Sequence, residues 1–147
     1  MEPTSLTIHS TANLLSTADN ERDNLARVDN TRHASFHLVV DDKEAIECIP
    51  LNEVAWANGD GYYGEGNRSS ISMEICESGN RAKTLDNAAK LAAKVLKENN
   101  IPFNKMVRHY DWTGKNCPRI LSADNWVQWF FFKAEVMKYI IDNQALE

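Results

Sequence analysis

The spacing of apolar and polar residues along the chain changes several times between the period of a strand and that of a helix. Two runs rich in apolar and β-branched residues, 5–9 and 69–76, have the composition of strands. Residues 36–40 and 45–49 are similar runs on either side of a polar turn at 41–44. This arrangement predicts a β-hairpin.

Helical spacing is found in three other segments. Residues 21–28 are compatible with a helix, and a second helix is predicted to begin at Thr84, after which apolar side chains recur at i, i+3 and i+4. The last helix is predicted over 122–143, with Ser122 or Asp124 as its N-cap.

The remaining segments are a long loop and one short strand. Residues 52–67 are rich in glycine, asparagine and aromatic residues and predict a loop across a functional face. Its aromatic residues Trp56, Tyr62 and Tyr63 are equally compatible with stacking on sugar or peptide and with anchoring the loop to the core. Residues 106–108 predict a short strand. Because strands and helices follow one another in mixed order, we expect an α/β fold with a central mixed β-sheet flanked by helices.

Length, charge and cysteine content narrow the possible function. The 147 residues are expected to form one domain, and a formal net charge of -5 argues against a nucleic-acid partner. No membrane association is expected, because the most apolar segment, 126–141, is interrupted by charged residues. The N-terminus lacks the regions of a secretory signal, so we expect synthesis in the cytoplasm without a signal peptide. The odd cysteine count indicates reduced thiols, with Cys48 and Cys76 in apolar, strand-like contexts.

The richest chemistry lies in the segment 108–118. It places His109 and Cys117 eight positions apart, with Lys115 two residues before the sulfur. Catalytic zinc sites take three protein ligands and leave a fourth position for water or substrate. His9, at the end of the first predicted strand, is the candidate third ligand, although a histidine in this position is more often structural. The sequence therefore predicts a zinc site of His9, His109 and Cys117, in a surface cleft.

Zinc hydrolysis also requires a general base and a group that holds the oxyanion. Glu74 is the best candidate base, because a carboxylate in the middle of a predicted strand is costly unless it is paired or functional. The alternation leaves open whether Ser70, Ser72 and Glu74 face solvent or a cleft. Lys115 fits the oxyanion role, although as a lone surface lysine it would be unremarkable.

Cys117 also permits a different mechanism. With His109 or His9 it can form the thiolate–imidazolium pair of a Cys–His hydrolase, with Lys115 lowering the pKa of the thiol. Zinc accounts for more of the residues, but both alternatives remain open at this point.

Several ordered blocks of the sequence resemble the type 2, zinc-dependent N-acetylmuramoyl-L-alanine amidases, a family related to the peptidoglycan-recognition proteins. Its members include phage endolysins and bacterial autolysins. The blocks include Ile-His-Ser-Thr-Ala-Asn at 8–13, Met-Glu-Ile-Cys-Glu at 73–77, Arg-His-Tyr-Asp-Trp at 108–112 and Cys-Pro at 117–118. The resemblance extends from about residue 6 to residue 129.

The resemblance implies hydrolysis of the amide bond between N-acetylmuramic acid and L-alanine in peptidoglycan, and hence cell-wall lysis. It places the zinc ligands on His9, His109 and Cys117 and the general base on Glu74. Lys115 corresponds to the lysine that precedes Asn-Cys-Pro in such enzymes. Some relatives use a tyrosine immediately before the histidine of the first hairpin strand. Here that position is Phe36, so this chain is expected to rely on Glu74.

The resemblance also suggests the setting in which the protein works. We expect a monomer that acts on the peptidoglycan of the cell wall, after phage-mediated release or a non-standard route of export. The whole of 1–147 is expected to be one catalytic domain without a wall-binding module. His37 is expected to pack near the site rather than ligate metal, and His33 to lie at the surface. A non-catalytic module that only binds peptidoglycan is the alternative, which the presence of Cys117 disfavours.

Overall fold

A five-stranded β-sheet lies at the centre of the computed structural model, which describes residues 1–145. Its strands are β1 (Ser5–Ser10), β2 (Leu38–Val40), β3 (Ala45–Glu47), β4 (Ser70–Ile75) and β5 (Met106–Arg108). They are arranged in the order β3-β2-β4-β1-β5. β1 is parallel to both of its neighbours and β2 is parallel to β4, whereas β2 and β3 form the antiparallel hairpin. The predicted mixed sheet is therefore confirmed.

Five α-helices of the described residues connect and cover these strands. They are α1 (Ala18–Ala26), α2 (Glu65–Ser69), α3 (Arg81–Glu98), α4 (His109–Thr113) and α5 (Ala123–Ala145), with short 3-10 turns at Phe103–Lys105 and Arg119–Leu121. α3 and α5 pack together over one face of the sheet, and α1 contacts the hairpin from the other side. Within residues 1–145, no helix has both the length and the apolar composition needed to cross a membrane.

The two faces of the central strands differ in chemistry. On one face, apolar side chains of β1 and β4 are fully buried against α3 and α5, and these are Leu6, Ile8, Ile71, Met73 and Ile75. The intervening residues point to the opposite face, because successive strand side chains alternate. There Ser70 and Ser72 are each 1% exposed, and the hydroxyl oxygens of Ser70 and Thr7 lie 2.6 Å apart. This polar face, which also carries His9 and Glu74, is therefore enclosed by the protein rather than open to solvent.

The start of α3 differs from the predicted one because of its cap. The helix begins at Arg81 rather than at Thr84, since the side chain of Asn80 accepts a hydrogen bond from the backbone N–H of Lys83. Asparagine and threonine are both favoured cap residues, so the local sequence offered two possible starts.

Two short helices occur where the sequence predicted none. α2 begins within the predicted loop 52–67, and α4 begins at His109 itself. In α5, Asp124 has a positive φ of 53° inside the assigned helix, so of the two predicted N-caps it is Ser122 that directly precedes the first helical residue, Ala123.

Asp41 joins the hairpin turn to α1 through a buried carboxylate. Its Oδ1 accepts hydrogen bonds from the backbone N–H groups of Lys43 and Glu44 at 2.8 and 2.9 Å, and its Oδ2 accepts one from Ala18 at 2.9 Å. Burial alone would raise the pKa of Asp41, but these three donors together hold the pKa below its ordinary value.

This carboxylate makes stability dependent on pH in the acid range. A group whose pKa is depressed on folding stabilises the protein above its unfolded pKa of about 3.9, and this contribution is lost as pH falls through the lower, folded pKa. We expect Asp41→Ala to lower the free energy of unfolding by about 2 to 3 kcal/mol at pH 7. Urea denaturation should show a smaller difference at pH 3. An equal difference at both pH values would contradict the assignment, and Asp142→Ala, at an exposed carboxylate of α5, is the control.

Candidate active site

The candidate site lies at the carboxyl ends of three parallel strands. His9 is the penultimate residue of β1, Glu74 is the penultimate residue of β4, and His109 directly follows β5. In the β1–β4 register His9 is paired with Glu74, and Nδ1 of His9 lies 3.9 Å from Oε1 of Glu74. In proteins with parallel β-sheets, small molecules and ions bind at the carboxyl ends of the strands, because side chains from several strands converge there.

Three potential metal ligands meet at this edge, as the sequence predicted. His9, His109 and Cys117 are 2%, 6% and 6% exposed, and their ligand atoms all lie within 4.8 Å of one another. Sγ of Cys117 is 3.7 Å from Nδ1 of His9. A tetrahedral zinc ion with ordinary bond lengths holds a nitrogen and a sulfur ligand about 3.5 Å apart. The spacing of these two atoms therefore fits a shared metal ion.

The protonation states of this group also suit a metal. Burial and the neighbouring charge of His109 lower the pKa of His9 to about 3, and burial lowers the pKa of His109 as well. Metal-binding histidines must be neutral. Nδ1 of His109 is buried and has no hydrogen-bond partner among the described residues, which leaves its lone pair available.

A thiolate–imidazolium pair is not favoured by the same surroundings. Burial raises the pKa of the Cys117 thiol to about 11, and the lowered pKa values of His9 and His109 keep both imidazoles neutral. A nucleophilic cysteine requires the opposite, a depressed thiol pKa beside a protonated histidine. A bound cation would stabilise the thiolate directly, so the site suits metal ligation better than a Cys–His hydrolase.

Glu74 faces the same group from the adjacent strand. Its side chain is 17% exposed, and Oε2 is buried without a hydrogen-bond partner among the described residues. Burial, with a smaller contribution from Glu21, raises the pKa of Glu74 to about 8, whereas the charge of Lys115 opposes the shift. A metal cation in the site would also lower this pKa and favour the carboxylate.

Lys115 is one of the residues that line the cleft. It is exposed, and it follows Gly114, whose φ of 79° ends α4 in the left-handed conformation. Its positive charge lowers the pKa values of both His9 and His109. The lysine therefore brings a cation to the mouth of the site without being buried in it.

Asn58 is a site residue that the sequence did not reveal. It is fully buried, its Nδ2 donates to the carbonyl of Gly66 at 2.7 Å, and its Oδ1 has no hydrogen-bond partner among the described residues. Its side chain raises the pKa of His9 and its backbone raises the pKa of His109, and both effects oppose the lowering by burial. Carbonyl groups beside metal-binding imidazoles orient the ring. A buried asparagine in a polar loop gives no local signal of such a contact.

The residues around His109 are fixed by a charged and aromatic cluster. The guanidinium of Arg108 donates to both carboxylate oxygens of Asp111, at 3.0 and 2.5 Å. The same group lies over the rings of Tyr110 and Trp126, 4.9 and 4.5 Å from their centroids. Nε1 of Trp112 donates to the hydroxyl of Thr7 at 2.9 Å. Tyr110, Asp111 and Trp112, whose roles the sequence left open, thus hold α4 against β1 and α5.

An ion pair holds the segment that follows Cys117. Arg119 donates through Nε and Nη2 to the carboxylate of Glu77, at 2.6 to 3.0 Å, and Oε2 of Glu77 also accepts from the backbone N–H of Ala12. The Glu77 side chain is only 1% exposed. This pair therefore links the loop after β1 to the segment that carries the thiol.

His37 lies near the site but is not among the grouped ligands. Its Nδ1 accepts from the backbone N–H of Ser72 at 2.9 Å, so its Nε2 carries the hydrogen that is donated to the carbonyl of Glu53 at 2.8 Å. Both ring nitrogens are therefore engaged in hydrogen bonds to the backbone, and His37 packs near the site, as expected. His33 is exposed, also as expected, and Phe36 lines the cleft.

A family model described as N-acetylmuramoyl-L-alanine amidase matches residues 1–120. The chain belongs to this amidase family. This amidase chain is 44% identical over 134 residues to N-acetylmuramoyl-L-alanine amidase CwlA of Bacillus sp, a match that covers 88% of the chain and 52% of the relative. It is 46% identical over 128 residues to the CwlA of Bacillus subtilis (strain 168), covering 84% of the chain and 46% of that protein.

Two solved structures of similar sequences share the fold. The catalytic domain of XlyA matches this amidase chain with a TM-score of 0.85 at 41% identity, covering 92% of the chain and 87% of that structure. PlyL matches with a TM-score of 0.82 at 38% identity, covering 92% and 84%. The amidase chain spans about half the length of the curated relatives it matches.

Proposed function

We propose that this chain is a zinc-dependent N-acetylmuramoyl-L-alanine amidase that hydrolyses the amide bond between N-acetylmuramic acid and L-alanine in peptidoglycan. The observation that carries the proposal is the buried group of His9, His109 and Cys117, with the carboxylate of Glu74 beside it, in a chain of this family. Relatives that bear the name of this activity support the choice of substrate.

The donor set supports zinc as the metal. Two imidazoles and one thiolate form one of the three-ligand sets found in catalytic zinc sites. When bound, zinc supplies a Lewis acid that polarises the scissile carbonyl and lowers the pKa of water. Commitment of the Cys117 sulfur to the metal removes it as a nucleophile.

The remaining steps belong to side chains of this chain. A carboxylate oxygen of Glu74 accepts a proton from the attacking water as the new C–O bond forms. Glu74 then returns this proton to the amine nitrogen as the C–N bond breaks and the stem peptide leaves with a free amino terminus. The Nζ of Lys115, at the mouth of the cleft, stabilises the negative charge that develops on the carbonyl oxygen.

The same reasoning suggests how the protein is organised and where it acts. We propose that residues 1–147 act as a monomeric catalytic domain on the cell wall, with neither nucleic acid nor membrane as a partner. The similarity to a solved catalytic domain over most of that domain's length supports this organisation.

Digestion of purified cell walls tests the proposed reaction. We expect the turbidity to fall, and mass spectrometry should find stem peptides that begin with free L-alanine together with glycans that retain the lactyl group. The chelator 1,10-phenanthroline should stop the reaction and added zinc should restore it. Binding to walls without cleavage would contradict the proposal in favour of a recognition module. Inactivation by iodoacetamide with indifference to the chelator would contradict it in favour of a thiol hydrolase.

A further inference from the structure

Three exposed aromatic side chains lie side by side at one end of the cleft. Trp56, Tyr62 and Tyr63 are 44%, 61% and 89% exposed. The ring centroids of Trp56 and Tyr62 are 6.3 Å apart, and those of Tyr62 and Tyr63 are 4.9 Å apart. We call these three residues the aromatic rim. Trp56 also lines the cleft that contains Glu74, so the rim continues the candidate site outward.

The aromatic rim does not anchor its loop to the core. Rings that served as anchors would be buried, whereas Tyr62 and Tyr63 present most of their surface to solvent and Trp56 is exposed by almost half. Buried polar side chains hold the loop instead. The carboxylate of Asp60 accepts from the backbone N–H groups of Gly66 and Asn67 at 2.6 and 3.0 Å, and Oδ1 of Asn67 accepts from that of Asn58 at 2.8 Å. The anchoring alternative that the sequence left open is therefore not supported for Tyr62 and Tyr63.

The rim is also held in a defined position. The guanidinium of Arg68 lies 5.4 Å from the centre of the Tyr62 ring, and Nδ2 of Asn67 donates to the carbonyl of Gly61 at 3.2 Å. A surface whose groups are already ordered loses little conformational entropy when a ligand binds. Exposed, adjoining aromatic groups on an ordered loop mark an interaction surface.

We propose that the aromatic rim binds the glycan strand of the substrate, beyond the muramyl residue whose amide lies at Glu74. This inference rests on the proposed function, because it takes the cleft as the site of the muramyl amide. The C–H groups on the face of an N-acetylhexosamine ring are weakly positive and apolar, and the face of an aromatic ring is negative. The guanidinium of Arg68, which lies over the Tyr62 ring, is exposed and can donate to sugar hydroxyl groups.

The lack of charge on the rim side chains favours sugar over stem peptide. The three rim side chains are uncharged, as are the hydroxyl and acetamido groups of the glycan, whereas stem peptides carry carboxylates and amines. The cleft itself is lined by charged side chains, among them Glu21 and Arg32, which can pair with the charges of a stem peptide. The glycan therefore lies over the rim, and the peptide lies within the cleft.

Binding of a peptide-free glycan tests the proposal separately from hydrolysis. The probe is a set of N-acetylglucosamine–N-acetylmuramic acid oligomers of defined length, titrated into the protein while Trp fluorescence and calorimetry are recorded. We expect binding that tightens with oligomer length, and about tenfold weaker binding by the double variant Tyr62→Ala, Tyr63→Ala, equivalent to about 1.4 kcal/mol. Tyr62→Phe, Tyr63→Phe should bind as the wild type does, because stacking needs the ring and not the hydroxyl.

The chain offers a matched control for the loss of two exposed rings. Phe130 and Phe131 are adjacent on α5 and are 61% and 60% exposed, close to the value for Tyr62. Phe130→Ala, Phe131→Ala should leave glycan binding unchanged. Equal weakening by both double variants, or no weakening by the tyrosine variant, would overturn the proposal. Binding of free stem peptide that depends on Tyr62 and Tyr63 would assign the rim to the peptide instead.

Kinetics separate a failure of this inference from a failure of the proposed function. If the protein cleaves walls, the ratio of kcat/KM for long glycan substrates to that for a single-sugar muramyl dipeptide should fall about tenfold in the tyrosine variant, mainly through KM. An unchanged ratio would reject the rim while leaving the amidase proposal intact. Glycan binding in a protein that cleaves nothing would support the rim and reject the amidase proposal.

Discussion

Replacing Cys117 with alanine should remove both the bound zinc and the hydrolytic activity. The thiolate is the only anionic member of the group formed with His9 and His109, and no other cysteine or histidine of the described residues joins that group. Two imidazoles alone leave a zinc ion without the third protein ligand of a catalytic site. Metal analysis of the purified variant should find zinc only at background level, and wall digestion should stop.

Thermal unfolding gives a second measurement that does not depend on activity. Zinc at one hundred times its Kd stabilises a folded protein by about 2.7 kcal/mol. The melting temperature of the wild type should therefore rise with added zinc, whereas that of Cys117→Ala should not change. Cys48→Ala is the matched control, since Cys48 is half-buried and lies outside the grouped ligands. Full zinc occupancy in the Cys117 variant would reject the ligand set.

Replacing Glu74 with glutamine should abolish catalysis while leaving the fold and the zinc content intact. Loss of a general base lowers kcat by about 10² to 10⁴. Stability should stay the same or increase, because Oε2 of Glu74 has no hydrogen-bond partner among residues 1–145 and the buried carboxylate is costly. Urea denaturation, metal analysis and wall digestion of the same preparation measure all three properties.

A second buried carboxylate provides the control with the opposite result. Glu77→Gln removes the charge that binds Arg119, so we expect it to reduce the free energy of unfolding. A loss of stability in Glu74→Gln, like the loss expected for Glu77→Gln, would indicate a structural role for Glu74. Near-normal turnover would reject Glu74 as the base.

The sequence alone was sufficient to predict the strands and the three potential ligands that the structure brings together. Histidine and cysteine carry their metal chemistry in their own side chains, so His9, His109 and Cys117 could be recognised before their distances were known. The strand at 69–76 was also recognisable, but alternation does not tell which face is enclosed. The burial of Ser70 and Ser72 answers that question for Glu74.

The supporting contacts could not be predicted, because they join residues that are far apart in the chain. Asn58, in a loop far from both histidines in the sequence, affects the pKa values of His9 and His109. The guanidinium of Arg108 lies over the ring of Trp126 in α5. The predicted start of α3 at Thr84 was wrong for a local reason, since Asn80 was an equally suitable cap. The exposure of Tyr62 and Tyr63 could not be predicted either, because polar side chains such as Asp60, and not the aromatic rings, hold the loop in place.

The order of the strands also determines when the site can form. β1 comes first in the chain but lies between β4 and β5, so both of its partners are synthesised long after it. Contacts between distant parts of a sequence form slowly during folding. The neighbours of His9 in β5 and at His109 and Cys117 are therefore absent until residues 106–117 have been synthesised. Until the chain beyond Cys117 has left the ribosome, the group of three potential ligands is incomplete. Under the proposed function, such a nascent chain would be unable to hydrolyse an amide bond while it is being translated.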